Sequence, residues 1–531
     1  MSLRIYSTLT QALEPFEPFV SGQVRMYTCG VTVYDLCHIG HARSALVFEV
    51  VRRYLEYSGN HVTFVRNFTD VDDKIIERAR QLGIPWDALA FRYIEAFRQD
   101  MAALSIGQAD VEPKATDHIP EMIRLIGTLL ERGLAYAVDG NVYYAVRRFP
   151  EYGKLSHRSV DDLRAGARIE VDERKRDPLD FALWKASKPG EPSWDSPWGP
   201  GRPGWHIECS AMSSKYLGET FDIHAGGEDL IFPHHENEIA QSEGATGKPF
   251  ARYWLHNGFV TVNGEKMAKS LGNFVTIRDA LDRFSPEALK LLLLSTNYRG
   301  PLDYAESAVL EKAKALAGLQ DFLRGVDRLG AGTAPREPEG GLAPGALPEG
   351  PHPAEAAFRR AMDDDFNTAR ALAVLFDVVR EGNRLLSEAG EAAAGAPGEL
   401  PALRAAAALL RRLASVLCLN LRGGGPVVSA FATVRLQRAA AEALQELTVL
   451  VQCGASSPAD QERQLTSVVQ ELLAHREAAR RAKAWAAADA IRQALTAQGF
   501  RLEDTKTATH AVSQSTETHR LPAIAVTLVK E

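Results

Sequence analysis

The amino-terminal part of the chain alternates short β-branched and aromatic runs with stretches of helical spacing. Residues 24–34 are rich in Val, Thr and Tyr, whereas residues 42–55 place apolar side chains three and four positions apart. A second strand-like run at 61–68 precedes another helical stretch after Asp72. Strands that alternate with helices predict βαβ units around a parallel sheet, which binds ligands beyond the carboxyl ends of its strands.

An insertion and a linker interrupt this alternation. A helix and a hairpin-like segment at 135–144 occupy the region from about 120 to 168, and the strand pattern returns near Phe221. Between Gly330 and Pro353, six glycines and six prolines fill half of 24 positions, a composition typical of a linker. The stretches with helical spacing beyond it, which predict an α-helical carboxyl part, are 356–386, 402–419, 432–451 and 460–497.

Composition and charge narrow the class of protein. With 531 residues, 45% hydrophobic and 24% charged, the chain is too large for a single small binding module and too apolar for wholesale disorder. Its net charge of −7 argues against a uniformly basic protein that coats nucleic acid. Residues 354–531 hold 21 basic and 20 acidic side chains, so the first 353 residues carry −8. A nucleic acid would therefore meet local basic patches.

The cysteines and the hydropathy indicate the compartment. Five cysteines, at positions 29, 37, 209, 418 and 453, are too few and too scattered for a disulfide framework. No apolar run approaches the roughly 20 residues that span a bilayer, and the first residues lack the pattern of a secretory leader. We therefore expect a cytoplasmic protein without membrane association.

A candidate phosphate site lies at the first predicted strand-to-helix junction. No G-x-G-x-x-G or G-x-x-x-x-G-K-[ST] sequence occurs, which removes the usual support for dinucleotide and P-loop binding. His38 and His41 are three apart and can face one side of the first helical turn, whose free N–H groups and dipole favour anions. Gly40 leaves room for close approach of a ligand.

Two lysines lie in a second segment about 230 residues later, which reads Lys-Met-Ala-Lys-Ser. Their charges can meet developing phosphate charge. Together the two segments resemble the paired signatures of class I aminoacyl-tRNA synthetases, which activate an amino acid with ATP and pass it to tRNA. Ala268 stands where that family usually has serine. The resemblance implies that His38, His41, Lys266 and Lys269 bind ATP.

Four further residues form a candidate metal set. Cys29 ends the first strand, Cys209 lies in a Trp-His-Ile-Glu-Cys segment, and His234 and Glu238 are four apart, on one helix face. Two thiolates with an imidazole and a carboxylate favour Zn²⁺. An alternative stays open, because without C-x-x-C spacing the cysteines equally fit small buried hydrophobes and the His–Glu pair a surface ion pair.

At these positions the chain resembles the cysteinyl-tRNA synthetase family. The resemblance is dense from residue 3 to 319 and weaker at 366–369 and 476–504. The shared blocks, in order, are residues 29–43, 67–74, 177–185, 204–212 and 232–238. Val31 replaces the family's usual proline after Cys-Gly, and the block that begins at Ala225 departs slightly from the usual glycine-rich sequence.

The resemblance assigns roles to individual residues. It implies that one Zn²⁺ is bound by Cys29, Cys209, His234 and Glu238, with the substrate thiolate completing the coordination. The implied cysteine pocket comprises Gly30, Thr69, Trp205 and His224, and the residues near the adenosine are Gly226, Gly227 and Asp229. Mg²⁺ is expected with ATP. Three close acids, Asp70, Asp72 and Asp73, permit a separate Mg²⁺ site, but acids that begin a helix are typical caps and dipole partners.

The resemblance also implies the domain organisation, an α/β, Rossmann-type parallel-sheet catalytic domain with an insertion, followed by α-helical carboxyl-terminal domains. The catalytic domain is assigned to 1–118 and 181–265 and its connective insertion to 119–180. The later regions are the lysine-signature and stem-contact region 266–329, the linker 330–353, the helical bundle on the anticodon side 354–425 and the anticodon-binding region 426–531.

The expected reaction is formation of cysteinyl-adenylate from ATP and L-cysteine, followed by transfer to the 3′ end of tRNA(Cys), by a monomer. A basic run around Trp485 suits phosphate and base contacts, although such runs are usually solvated helix faces. The candidate tRNA contacts are Arg476, Arg480, Arg481, Lys483, Trp485 and Arg492. Two alternatives remain, a cysteine ligase acting on an amino sugar and a non-catalytic RNA- or zinc-binding paralogue.

Overall fold

A computed structural model describes most of the chain. The described residues are 2–160, 173–267, 273–330, 352–391, 399–421, 443–444, 447, 458–481, 485–498, 500–504, 508–513 and 525–529. The strands are β1 Arg4–Ser7, β2 Ala12–Pro15, β3 Gln23–Thr32, β4 His61–Thr69, β5 Ala135–Val138, β6 Asn141–Tyr144, β7 Phe181–Ala186, β8 Gly201–Pro203, β9 Phe221–Gly227, β10 Ala251–Asn257, β11 Val260–Val262, β12 Glu265–Lys266, β13 Leu302–Tyr304, β14 Phe500–Asp504, β15 Ala508–Ser513 and β16 Ala525–Val529. The α-helices are α1 Ile39–Tyr57, α2 Asp73–Leu82, α3 Trp86–Ala103, α4 Ile119–Glu131, α5 Trp205–Leu217, α6 Glu236–Thr246, α7 Ile277–Arg283, α8 Pro286–Leu293, α9 Glu306–Gly330, α10 Pro353–Met362, α11 Thr368–Glu391, α12 Glu399–Val416, α13 Pro458–Arg481 and α14 Trp485–Ala497.

The chain divides into two compact units. Unit 1 comprises Met1–Ile94, Leu104–Ile277 and Glu287–Gly423. Unit 2 comprises Glu95–Ala103, Arg278–Pro286 and Gly424–Glu531. Unit 1 therefore continues beyond the Gly/Pro-rich linker and includes the helices α9 to α12.

The centre of unit 1 is a four-stranded parallel sheet. Its strand order is β10-β9-β3-β4, so β3 and β9 are the inner strands. Helix α1 contacts β3 and β4 and buries Leu46 and Val50, which are four positions apart. Its buried Tyr54 contacts Phe358 of α10 and Phe366 instead. These elements confirm the predicted α/β class and the parallel sheet.

The insertion forms a second, antiparallel sheet with the order β5-β6-β7-β8. The hairpin predicted at 135–144 is present as β5 and β6, and its two turn residues, Asp139 and Gly140, have positive φ values of 49° and 76°. Two such residues make the tight turn that matches the twist of a hairpin. Because β7 and β8 belong to this sheet, it extends beyond the expected end of the insertion at residue 180 to Pro203.

The helical stretch predicted at 356–386 is wrong in one respect, because it is broken into α10 and α11. Asp365 and Phe366 between them adopt left-handed φ values of 57° and 51°, which a continuing helix does not permit. The stretch 402–419 corresponds to α12, 460–497 corresponds to α13 and α14, and most of 432–451 lies outside the described residues. None of the described helices has the length and apolar character required to cross a bilayer.

Unit 2 combines helices with a small antiparallel sheet. The sheet has the order β14-β15-β16, and β16 falls within the strand expected at 521–529. Helices α13 and α14 and strand β14 share an apolar core whose members include Leu465, Val469, Leu472, Leu495 and Phe500.

Two helical glycines in unit 1 give a matched stability test. A Cβ added at Gly382 on α11 would lie 2.3 Å from Cε2 of the buried Phe322 ring, whereas a Cβ at Gly318 on α9 would meet nothing within 4 Å. We expect Gly382→Ala to lower the free energy of unfolding by about 1–3 kcal/mol through overpacking. Gly318→Ala should raise it by up to about 1 kcal/mol through helix propensity. Urea unfolding followed by circular dichroism measures both, and equal effects would contradict the close packing of α9 on α11.

Candidate active site

Cys29 lies at a bulge near the carboxyl end of β3. The register between β3 and β4 shifts between Thr28 and Val31, so Cys29 and Gly30 stand outside the regular ladder. The Gly30 N–H donates to Asn67 Oδ1 at 2.9 Å, and a Cβ on Gly30 would lie 1.6 Å from the Asn67 carbonyl oxygen. Only glycine therefore permits this approach, and the bulge re-aims the Cys29 side chain.

Three further donors reach Cys29 from the segments that follow β8 and β9. Cys209 lies one turn into α5, Glu238 lies in the first turn of α6, and His234 immediately precedes that helix. The predicted i,i+4 pair is present, with His234 Nε2 3.0 Å from Glu238 Oε1. All three side chains are buried, which excludes the alternative of a surface ion pair.

The four donors fit a tetrahedral zinc site. The ligand atoms of Cys29, Cys209, His234 and Glu238 lie within 4.8 Å of one another, and both cysteines are free thiols. The two Sγ atoms are 3.7 Å apart, and Cys29 Sγ is 3.3 Å from Glu238 Oε1. Two thiolates bound to one zinc ion at about 2.3 Å lie about 3.8 Å apart in a tetrahedral site. The observed separation of the sulfur atoms therefore matches this requirement.

A second group of potential ligands shares two members with the first. It combines Cys29 and Glu238 with His224 and His235. His224 Nε2 lies 2.9 Å from Glu238 Oε2, and His235 Nε2 lies 3.3 Å from Cys29 Sγ. This group offers one sulfur donor instead of two, so the first group is better suited to a thiophilic ion such as Zn²⁺.

The buried charges of the cluster support one another. Burial alone would raise the pKa of the Glu238 carboxyl, but His224 and His234 lower it below the usual range. Burial likewise opposes ionisation of Cys209, yet the hydrogen bond from Cys29 and the charge of His234 lower the pKa of its thiol. Glu238 and Cys209 thus favour the ionised forms that bind metal ions. Burial raises the pKa of the Cys29 thiol, and against the effect of burial the charges of Glu238 and Cys209 raise the pKa of His234 to about 10, so binding of a metal ion would displace a proton from Cys29 and from His234.

Sequence reasoning missed several histidines around this cluster. His235 Nδ1 lies 2.8 Å from His256 Nε2, and His256 Nδ1 lies 2.8 Å from Thr8 Oγ1. His206 Nδ1 lies 3.0 Å from His234 Nδ1. Burial and neighbouring imidazoles lower the pKa of His206 and of His235, so both rings are neutral at physiological pH. Adjacency to predicted ligands was a signal for His206 and His235, whereas no sequence pattern marks His256.

The four residues predicted to bind cysteine lie next to the cluster. The Trp205 ring stacks on the His234 ring with centroids 4.2 Å apart and remains 37% exposed. Thr69 Oγ1 donates to Oε2 of Glu208, the neighbour of Cys209, at 2.8 Å. His224 contacts Glu238, as described above, and Gly30 is the other residue of the bulge.

The predicted phosphate turn differs in one respect from the expectation. His38 caps α1, because its Nδ1 accepts from the Gly40 and His41 N–H groups, and the Ile39 N–H donates to the Val275 carbonyl. The N–H groups expected to be free are therefore satisfied within the protein. His41 Nδ1 in turn accepts from the His38 N–H at 3.2 Å. With both Nδ1 atoms accepting, each neutral ring carries its hydrogen on Nε2 and can donate from there.

The histidine turn and the lysine segment lie side by side. Lys266 ends β12 and is exposed, and a Cβ on Gly40 would lie 3.7 Å from Met267 Cε. The Ile277 N–H donates to the Cys37 carbonyl, which joins the chain after the lysine segment to the start of α1. Lys269 and Ala268 lie outside the described residues.

The remaining predicted nucleotide residues follow β9. Gly226 and Gly227 end this inner strand, and Asp229 is exposed in a short helical turn at 228–230. Because β9 neighbours β3, these residues lie at the same edge of the sheet as Cys29.

The three acids at the start of α2 have structural partners. Asp72 caps α2 by accepting from the Lys74 N–H, and Asp70 accepts from both the backbone and the hydroxyl of Thr116. Asp73 pairs with Lys185 at 2.6 Å and with Arg202. These contacts favour the capping interpretation over a separate Mg²⁺ site.

The predicted tRNA contacts in unit 2 are only partly described. Arg492 on α14 is exposed, as an RNA contact requires. Arg476 on α13 is 4% exposed, so its expected role as a phosphate contact is not supported by its position. The side chains of Arg480, Arg481 and Trp485, and all of Lys483, lie outside the described part.

Three family models match the chain. Residues 15–315 match the tRNA synthetases class I (C) catalytic domain, 357–422 match the DALR domain, and 462–510 match the cysteinyl-tRNA ligase anticodon binding domain. Curated relatives include the cysteine–tRNA ligases of Pelobacter propionicus, 50% identical over 510 residues, and of Geobacter metallireducens, 51% identical over 509 residues. Each alignment covers 95% of this chain and 98% of the relative.

Solved structures show the same fold at low identity. Mycobacterium tuberculosis methionyl-tRNA synthetase in complex with methionyl-adenylate has a TM-score of 0.54 and 18% identity, and the match covers 84% of this chain and 96% of that one. A leucyl-tRNA synthetase (LeuRS) from Agrobacterium radiobacter, in a ternary complex with tRNA, has a TM-score of 0.53 and 13% identity, over 78% and 87% of the two chains. With the family models and the curated relatives, these findings show that the chain belongs to the cysteine–tRNA ligase family of class I aminoacyl-tRNA synthetases.

Proposed function

We propose that the chain joins L-cysteine to tRNA(Cys) in two steps. ATP and cysteine give cysteinyl-adenylate and diphosphate, and a ribose hydroxyl at the tRNA 3′ end then attacks the adenylate carbonyl and releases AMP. The observation that carries the proposal is the group of Cys29 with the buried Cys209, His234 and Glu238 at the ligand-binding edge of the sheet, in a chain of this family.

We assign one zinc ion per chain to these four residues. The fit rests on two thiols, an imidazole and a carboxylate whose ligand atoms lie within 4.8 Å of one another, and on the lowered pKa values of the Cys209 thiol and the Glu238 carboxyl. A bound zinc ion ionises and ligates a substrate thiol far more readily than a serine hydroxyl. Exclusion by size alone supplies only about 1–3 kcal/mol, too little for strict discrimination between cysteine and serine.

The cysteine substrate is assigned to the pocket beside this group. The Thr69 hydroxyl donates its one hydrogen to Glu208, so its lone pairs remain to accept from a substrate ammonium group. The partly exposed Trp205 ring, which stacks on His234, is assigned to one side of this pocket. Gly30 and His224 complete the pocket, and Gly30 permits the close approach of the Asn67 carbonyl beside Cys29.

ATP is assigned to the histidine turn and the lysine segment. The Nε2 atoms of His38 and His41 donate to phosphate oxygens, and Lys266 and Lys269 supply positive charge as the negative charge on diphosphate develops. Burial lowers the pKa of His41 to about 3, so His41 acts as a neutral donor. Gly226, Gly227 and Asp229 are assigned to the adenosine, and Mg²⁺ accompanies the phosphates.

The acceptor is assigned as tRNA and not as an amino sugar. The match of 462–510 to an anticodon binding domain supports this, because a small acceptor has no use for such a domain. The retained histidines and lysine of the ATP site argue against a non-catalytic paralogue. The free thiols of the described cysteines suit the reducing cytoplasm, where we place the protein as a monomer.

Exchange of labelled diphosphate into ATP tests the proposal. We expect exchange that depends on cysteine and is absent with serine, and about one zinc ion per chain. Cys209→Ala should lose the zinc and reduce exchange by about 100-fold or more, because one of two thiolate ligands is removed. Cys418→Ser is the matched control, since Cys418 is a buried thiol that donates to the Ser105 carbonyl. Equal exchange with serine, or full activity of Cys209→Ala, would contradict the zinc assignment.

The donor role of His41 has its own test. His41→Glu retains an oxygen acceptor for the His38 N–H, as glutamate does at this position of a capping box, but its carboxylate has no hydrogen to donate. We expect cysteine-dependent exchange to fall about 100-fold or more, the typical cost of one donor to a developing anion. The thermal midpoint should stay unchanged, and His61→Glu, at an exposed position, should behave as the unaltered protein. Loss of stability without loss of exchange would show that His41 only caps the helix.

Removal of residues 424–531 tests the role assigned to the carboxyl-terminal region. Deletion from the linker would also remove Phe358 and Phe366, which are buried and contact Tyr54 within unit 1. A chain that ends at Gly423 retains these contacts. We expect its diphosphate exchange to remain within about tenfold while tRNA charging falls by 100-fold or more, because phosphate and base contacts are lost. Undiminished charging would refute the assigned role.

A further inference from the structure

Arg43 has a distinctive environment on α1. It lies two residues after His41, is fully buried, and donates to four main-chain carbonyls and one hydroxyl. Nη1 donates to the carbonyls of Gly258 and Phe259 at 2.9 and 2.8 Å. Nη2 donates to the Gly300 carbonyl at 2.7 Å, and at 3.3 Å to the Thr296 hydroxyl and the Asn297 carbonyl. The guanidinium therefore joins two separate backbone segments to α1.

The first of these segments is the base of the lysine hairpin. Gly258 and Phe259 connect β10 to β11, and β11 pairs with β12, which carries Lys266. The second segment, 296–300, leads into β13, which pairs with β11 in parallel. The two segments also hold each other, because the Gly258 N–H donates to the Tyr298 carbonyl. Arg43 thus donates hydrogen bonds to both backbone segments at the base of the lysine hairpin, 258–259 and 296–300.

The third segment assigned to ATP, the glycine turn at 226–228, also contacts the base of the lysine hairpin. The Phe259 N–H donates to Glu228 Oε1 at 2.9 Å, and Glu228 follows Gly227 directly. Burial lowers the pKa of Arg43 to about 10, and the nearby carboxylate of Glu228 partly opposes this effect by favouring the cationic form. The histidine turn, the lysine hairpin and the glycine turn are therefore linked through one side chain and its immediate neighbours.

We propose that Arg43 is the positioning residue of the ATP site, which sets the spacing between the histidine donors on α1 and the lysine hairpin. The proposal rests on the proposed function and adds to it a residue that touches no substrate. Lysine cannot replace arginine here, because one ammonium group on a flexible stem cannot serve carbonyls on two segments at once. Misplacement of reacting groups by about 1 Å can cost 100-fold in rate, so a small shift of the hairpin suffices.

Steady-state diphosphate exchange at varied ATP and varied cysteine tests the proposal. The variants are Arg43→Lys, which keeps the charge, and Gly258→Ala, whose Cβ would lie 2.5 Å from the Gly300 carbonyl oxygen and so force the two segments apart. Arg53→Met is the matched control, since Arg53 lies on the same helix and binds Glu49 and the Ser415 carbonyl. Zinc content and the thermal midpoint are measured for every variant.

We expect kcat/KM for ATP to fall by about 10- to 100-fold in Arg43→Lys and in Gly258→Ala. KM for cysteine and zinc content should stay within twofold, and Arg53→Met should lower only the thermal midpoint. Values of kcat/KM for ATP within twofold of the unaltered protein would overturn the proposal. So would parallel losses of zinc, cysteine affinity and ATP kinetics, which indicate general packing. Absence of exchange by the unaltered protein would instead refute the proposed function.

Discussion

The active-site architecture depends on the burial of one ionised carboxylate. Glu238 has no exposed surface, and an isolated carboxylate in such a place would be strongly destabilising. It is tolerated because one oxygen contacts His224 and the other contacts His234 and Cys29. These partners come from β9, from the turn before α6 and from β3, so a single charge requires three distant segments to meet. A zinc ion bound there would supply the positive charge that the group is arranged to receive.

The bulge in β3 brings the Cys29 thiol to Glu238 and Cys209. In a regular strand the Cys29 side chain would point to the face set by the alternation of side chains along β3. A residue with a Cβ at position 30 would also need space beside Asn67. Gly30 removes that need, and the bulge turns the thiol towards Cys209 and Glu238. The same edge of the sheet carries the glycine turn after β9. The amino acid and nucleotide sites that we propose are adjacent because both lie where parallel strands end.

The sequence indicated the parts of this site whose geometry is local. The spacing of His234 and Glu238 sufficed to place them on one face, and the alternation of strands and helices sufficed for the parallel sheet. Cys29 and Cys209 are 180 positions apart, so the residue types alone left open whether they meet, and the family resemblance favoured the metal set. The break at Asp365 was missed because left-handed backbone at a non-glycine residue has no reliable sequence signal. Arg43 was missed because its acceptors are main-chain carbonyls, which any residue provides.

The segment 296–300 explains why the helical bundle belongs to the same compact unit as the sheet. Arg43 binds this segment from α1, and Asp365, at the break between α10 and α11, binds it from the bundle. The Tyr298 hydroxyl donates to Asp365 Oδ1 at 3.0 Å, and Arg299 Nε donates to Oδ2 at 2.7 Å. Without the bundle, Tyr298 and Arg299 would lose their buried acceptor Asp365 beside the base of the lysine hairpin. The bundle is therefore a structural part of unit 1, which contains the parallel sheet. The break between α10 and α11 places Asp365 where the side chains of Tyr298 and Arg299 reach it.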